Sequence, residues 1–191
     1  MKLVKLSLVA MAFFLAAGSL TIASADSYSK TLSMFKQYDA VRPFFKDSYG
    51  YAVFPTVGKG GIVVGAAFGK GQVYRQGKLT GTVQLSKISV GFQLGGQAFS
   101  QIIFFQDNRA YDEFTSGSFE FDASVSAIVI TASAQAKAGS EGGTAGASLT
   151  PSKGAQAENY YHRGLVVFVH AKGGLMYEAS IGGQNFDFTP L

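Results

Sequence analysis

Between residues 61 and 69 every second side chain is small or absent. Gly61, Val63, Gly65, Ala67 and Gly69 lie on one side of an extended chain, with Ile62, Val64, Ala66 and Phe68 on the other. Successive side chains of a strand point to opposite faces, so this stretch is a strand with one face stripped of bulk. A bare face lets neighbouring atoms come close to the backbone, which suits a strongly curved sheet. Glycine is in excess along the whole chain, with 24 in 191 residues, nearly twice the usual share of about 7 %.

Period-two alternation continues on both sides of that stretch. Gln72–Arg75 and Leu79–Ile88 read as strands joined by a turn at Gln76-Gly77-Lys78. Ser89–Phe105 reads as one long strand bent at Gly95-Gly96, because parity survives the two glycines. Val90, Phe92, Leu94, Ala98, Ile102 and Phe104 then share one face, with Ser89, Gln93, Gln97 and Gln101 opposite. Phe119–Thr131, Gly164–Ala171, Leu175–Ile181 and Asn185–Phe188 also alternate.

Helical periodicity is confined to three pieces. Ser27–Tyr38 places Tyr28, Leu32 and Phe35 on one stripe, and Asp26 or Ser27 can cap it. Pro43–Asp47 can form a second short helix with proline in its first turn. Asn108–Thr115 reads as a third, capped by Asp107 and stopped at Gly117. The expected class is α+β: an antiparallel curved β-sheet, sandwich or barrel-like, preceded by N-terminal helices.

Residues 1–25 have the layout of a secretory signal: Lys2 and Lys5, an uncharged run from Leu6, and Ala23-Ser24-Ala25 before Asp26. Residues 26–191 then form a single domain exported to the bacterial periplasm, where a chain without cysteine needs no oxidative folding. From Ala132 to Asn159 the composition falls to Ala, Gly, Ser and Thr, and a mobile loop is expected at about 138–157.

Motifs for catalysis are missing. Zero Cys and two His, His162 and His170, supply no metal-ligand set. Gly69-Lys70 is followed by Gly71 where a phosphate loop needs Ser or Thr, and no nucleophile elbow occurs. No enzyme, cofactor or metal is expected. Charge is more informative. From Ser48 to Gln106 there is no acid but five cations, Lys59, Lys70, Arg75, Lys78 and Lys87, whereas Asp107–Asp122 holds five acids against Arg109. A basic surface favours anionic lipid or another polyanion. Nucleic acid does not fit an exported chain of formal charge +4 that loses two lysines with its leader.

The run Tyr49-Gly-Tyr-Ala-Val-Phe-Pro-Thr-Val-Gly-Lys-Gly-Gly61, then Val64-Gly-Ala-Ala-Phe-Gly-Lys-Gly71, resembles the opening of a SYLF domain. Ser89-Val-Gly-Phe-Gln-Leu-Gly-Gly-Gln-Ala-Phe-Ser100, Phe104-Phe105, Phe114-Thr-Ser-Gly117 and Lys172-Gly-Gly-Leu-Met-Tyr-Glu-Ala-Ser180 resemble its later blocks. The resemblance spans roughly Ser27 to Phe188. It implies a lipid-binding module; eukaryotic relatives bind phosphoinositides through an amphipathic N-terminal helix and basic residues, and some bind actin filaments. In a bacterial envelope actin is not expected, and phospholipid or lipopolysaccharide phosphates replace phosphoinositides as partners.

On this basis the lipid-binding residues are expected to be Lys30, Leu32, Phe35 and Lys36 on the first helix, with Lys59, Lys70, Arg75, Lys78 and Lys87 on the strands. Lys137, Lys153 and Lys172 are expected to matter less. A small outer-membrane β-barrel, and a protein–protein scaffold using a row of Gln93, Gln97 and Gln101, are the alternatives; oligomeric state is left open. The leader makes one direct prediction. The intact mass of the exported protein should match a chain starting at Asp26, and retention of residues 1–25 would refute the leader.

Overall fold

The computed structural model describes residues 26–61, 64–90, 97–122, 127–130, 161–172 and 181–191. The expected leader, the 138–157 loop and most of the Leu175–Ile181 strand lie outside these residues. The first helix, α1, covers residues 26–36. It is followed by α2 (Phe44–Asp47), β1 (Gly50–Gly61), β2 (Val64–Arg75), β3 (Lys78–Val90) and β4 (Gln97–Phe105). Then come α3 (Asn108–Phe114), β5 (Ser118–Glu120), β6 (Ile128–Ile130), β7 (Leu165–Ala171) and β8 (Asn185–Pro190). Among the described residues one sheet contains all eight strands, in the order β5-β8-β3-β2-β1-β4-β7-β6. Every pairing is antiparallel except that of β6 with β7. The class is α+β, with the sheet dominant.

This sheet cannot be flat. β5 and β6 sit at its opposite edges yet are joined by only residues 121–127. Eight strands about 4.8 Å apart would put flat edges about 34 Å from each other. A fully extended link of this length reaches no more than about 28 Å. Curling closes the gap, and contacts across the concave side record it. The Phe54 ring on β1 lies 5.8 Å from Phe186 on β8, three strands away. Gln101 on β4 and Gln184, just before β8, exchange two hydrogen bonds of 3.0 and 3.2 Å while fully buried.

The glycine-rich row makes the curl possible. A Cβ at Gly71 would stand 2.6 Å from the Phe54 ring, so only glycine lets that ring lie across β2. The concave core holds Phe54, Leu85, Phe105, Phe114 and Phe186 among others. Its lower end is closed by α3, whose Asp107 cap accepts from Ala110 N–H at 2.8 Å and whose Tyr111 hydroxyl donates to Thr80 Oγ1 at 2.9 Å. The β2–β3 turn takes φ of +49° at Gln76 and +78° at Gly77, the geometry of a two-residue hairpin.

A second apolar layer lies on the outer face. Tyr28 and Phe35 of α1 and Phe44 of α2 pack on Val53, Ile102, Phe104, Val166 and Phe168. The helices therefore cover β1, β4 and β7 and leave the outer side of β2 and β3 to other residues.

Two strand expectations are corrected. Ser89–Phe105 is not one strand: β3 ends at Val90, β4 begins at Gln97, and β2 and β1 lie between them in the sheet. Parity across Gly95-Gly96 was therefore fortuitous. Ile102 and Phe104 do share a face, but Gln101 faces the concave core beside Ile103 and Phe105. β4 is buried on both sides, a situation that alternation cannot report. Phe119–Thr131 likewise divides into β5 and β6 at opposite edges.

Replacing Gln101 by Leu should destabilise the protein by about 1–3 kcal/mol, because the Gln184 amide is left buried without its partner. Adding Gln184→Leu should recover part of that loss. Chemical denaturation checks both, and additive losses in the double variant would contradict the pairing.

Candidate functional site

The nine residues expected to bind lipid do not converge. On α1, Lys30 is ion-paired to Asp26 at 2.5 Å and the Lys36 ammonium stands 5.2 Å over the Phe45 ring. Leu32 is half-buried against the outer layer, and Phe35 is completely buried in it. Phe35 thus packs in this structure on β1, β4 and β7, whose apolar outer face the helix stripe covers. At the α3 end, the Arg75 guanidinium lies 5.5 Å over Tyr111, with Lys78 exposed at the turn beside it.

Of the remaining three cations, Lys59 and Lys87 sit toward the other end of β1–β3 and Lys70 lies midway along β2. Register puts Lys59 of β1 opposite Ala67 of β2, and Ala67 opposite Lys87 of β3. Ala67 belongs to the concave core, so both lysines lie on the concave side with only a methyl between them. They lie there because the β-bulge around Pro55 resets the phase of β1 before Val57. A proline is tolerated where pairing is interrupted, and its carbonyl accepts from Ser100 Oγ at 2.8 Å. Burial first, and the charge of Lys59 second, hold the Lys87 ammonium below its ordinary value.

On the outer face of the same end, Phe68 is 62 % exposed and Ile88 is 75 % exposed. Ala66 pairs with Ile88 and Phe68 with Ser86, so the two large side chains are diagonal neighbours on one face. Lys70 is two residues from Phe68 on that face, and its carbonyl accepts from the Tyr28 hydroxyl of α1 at 3.3 Å. An open groove lined by Tyr28, Thr56, Phe68, Lys70 and Gln84 runs along this surface. Lys172, expected to be a bystander, joins its rim by donating to Thr56 Oγ1 at 2.8 Å.

The arrangement is two-sided, with cations within the curl and apolar side chains beside two cations outside it. Phe68 and Ile88 were not among the expected residues. Their signal was present, since Phe68 ends the bulky side of the Gly/Ala alternation, but bulk reads as core unless the cover is known. Among the described residues no helix is long and apolar enough to cross a membrane, and no group of three or more His, Cys, Asp or Glu could hold a metal.

No curated protein matches the chain. A family model described as "Ysc84: Las17-binding protein actin regulator" matches residues 86–187, more than half of the sequence. That span runs from the end of β3 through β8 and includes Lys87, Ile88 and Lys172. With the ordered motifs between Tyr49 and Ser180, the match shows that the chain belongs to the Ysc84, or SYLF, family of lipid- and actin-binding-type domains.

Proposed function

We propose that this protein is a non-catalytic, peripheral lipid-binding domain of the bacterial envelope, docking on anionic phospholipid or lipopolysaccharide phosphates through the outer face of β2–β3. The observation that carries this reading is the exposure of Phe68 and Ile88 as neighbours, with Lys70 in their row and Lys172 on the rim. Apolar anchors flanked by cations match an interface where acyl chains lie beneath charged headgroups. Burying one such apolar side chain stabilises by about 1.5–3 kcal/mol, and each cation near an anionic surface adds about 1 kcal/mol. Two of each give dissociation constants between about 1 mM and 1 µM, which is reversible binding.

The mode differs from helix insertion in that α1 stays on the sheet. Exposing Phe35 to reach a bilayer would cost about 3–5 kcal/mol of core packing. An outer-membrane barrel is disfavoured because Thr82, Gln84 and Ser86 in the outer row of β3 are polar whereas the concave side is apolar. A glutamine-row scaffold loses Gln101 to the core. The actin regulation in the family description is not carried over, since an exported bacterial protein meets no actin.

Flotation with phosphatidylglycerol and phosphatidylcholine vesicles tests the proposal. The wild type should float with the anionic vesicles and release as salt rises, because exposed charges are screened beyond about 8 Å at physiological ionic strength. Phe68→Ser with Ile88→Ser should weaken flotation at least tenfold at unchanged unfolding temperature, and Lys70→Glu with Lys172→Glu should do the same only for anionic vesicles. Undiminished binding by the Phe68/Ile88 variant, or equal binding to both lipids, would contradict it.

A further inference from the structure

The outer side of β2 and β3 changes its chemistry in a fixed order along the strands. The exposed pair Phe68 and Ile88 is followed, two residues further along β2, by Lys70. Two residues beyond Lys70 comes Gln72, which register sets beside Thr82 of β3. Lys70 itself pairs with Gln84, and Gln84 with Asp187 of β8. Lys70, Thr82, Gln84 and Asp187 are all exposed. Apolar anchors, a cation, and then a strip of amides, a hydroxyl and a carboxylate thus succeed one another within about 13 Å, at about 3.3 Å per residue.

The strip carries both signs of hydrogen-bonding group. Gln72 Oε1 accepts from the Tyr74 hydroxyl at 2.6 Å, so the Gln72 amide presents its N–H groups as donors. The Thr82 hydroxyl and the Gln84 amide each donate and accept, whereas the Asp187 carboxylate only accepts. At the far end the Tyr74 ring stacks on Tyr51 at 5.0 Å, with Leu79 beside it 38 % exposed. Amides, a hydroxyl and a carboxylate next to an aromatic ring suit a sugar, which is polar around its rim and apolar across its C–H face. Asp187 sharpens the choice. A carboxylate repels a further phosphate but accepts readily from a sugar hydroxyl.

We infer that this strip binds a sugar in the lipid headgroup, so that the preferred ligand is a lipid whose phosphodiester joins its acyl part to a hexose. The acyl part lies at Phe68 and Ile88, the phosphate at Lys70, and the hexose on Gln72, Thr82, Gln84 and Asp187. A headgroup that ends a few atoms beyond its phosphate leaves most of the strip to water. The inference rests on docking of this face to a bilayer and names the headgroup that such docking selects.

Phosphatidylcholine vesicles carrying phosphatidylglucose, compared with vesicles carrying phosphatidylglycerol of the same acyl chains, isolate the sugar, because the two lipids have the same charge. The wild type should bind the phosphatidylglucose vesicles about tenfold more tightly, which is what one or two net hydrogen bonds supply. Thr82→Ala with Gln84→Ala, both at exposed positions, should equalise the two affinities at unchanged unfolding temperature. In solution, glucose 6-phosphate should shift the side-chain amide resonances of Gln72 and Gln84, and inorganic phosphate should not. Equal binding of the wild type to both vesicles overturns the inference and leaves bilayer docking standing, and a preference that survives the double variant overturns it as well. If neither vesicle is bound, docking by this face has failed; amide shifts specific to glucose 6-phosphate then still support the sugar strip, and their absence removes it.

Discussion

A seven-residue link between opposite edges of an eight-stranded sheet is the constraint on which this structure rests. It forces the sheet to curl, and curling requires that something on the concave side yield space. The Gly/Ala row of β2 yields it: Phe54 lies across Gly71, and the Gln101–Gln184 pair joins β4 to the segment before β8. A bulky residue at Gly71 would have to displace an aromatic ring that meets Phe186. The amide pair is also specific, because a one-residue slip of β4 would send Gln101 outward and Ile102 inward.

The same curl divides the outer face. Where β1, β4 and β7 carry Val53, Ile102, Phe104, Val166 and Phe168, helices α1 and α2 must cover them. Where β3 carries Thr and Gln, no cover is needed. Phe68 and Ile88 break that rule, as large apolar side chains exposed on that face. Their position, rather than the amphipathic helix, is what sets the proposed mode of membrane contact. A helix whose apolar stripe is already consumed by the sheet has little left for lipid.

Much of the secondary structure was legible in the sequence. Asp107 as a cap, Gln76-Gly77 as a hairpin turn and the curved sheet all follow from local chemistry that the structure reproduces. The stripe of Tyr28, Leu32 and Phe35 was equally legible as a helix face, but its destination was not, since one amphipathic pattern serves a core and a bilayer alike. Parity misled across Gly95-Gly96, because period two continues by chance through a reversal. The acid-free run correctly marked strands rich in cations, yet it spread them over two faces and two ends of the sheet. Lys59 reaches the concave side only because of the bulge around Pro55, a one-residue phase shift that alternation cannot foresee.

The chain contains no tryptophan, so a single introduced indole reports its own surroundings. The most direct measurement places it at Phe68 (Phe68→Trp) and, in a second protein, at Leu32 (Leu32→Trp), and follows emission as phosphatidylglycerol vesicles carrying brominated acyl chains are added. Docking by the β2–β3 face predicts a blue shift and quenching from position 68, with position 32 unchanged. Quenching at position 32 with none at position 68 would contradict it, and would mean that α1 leaves the sheet to enter the bilayer.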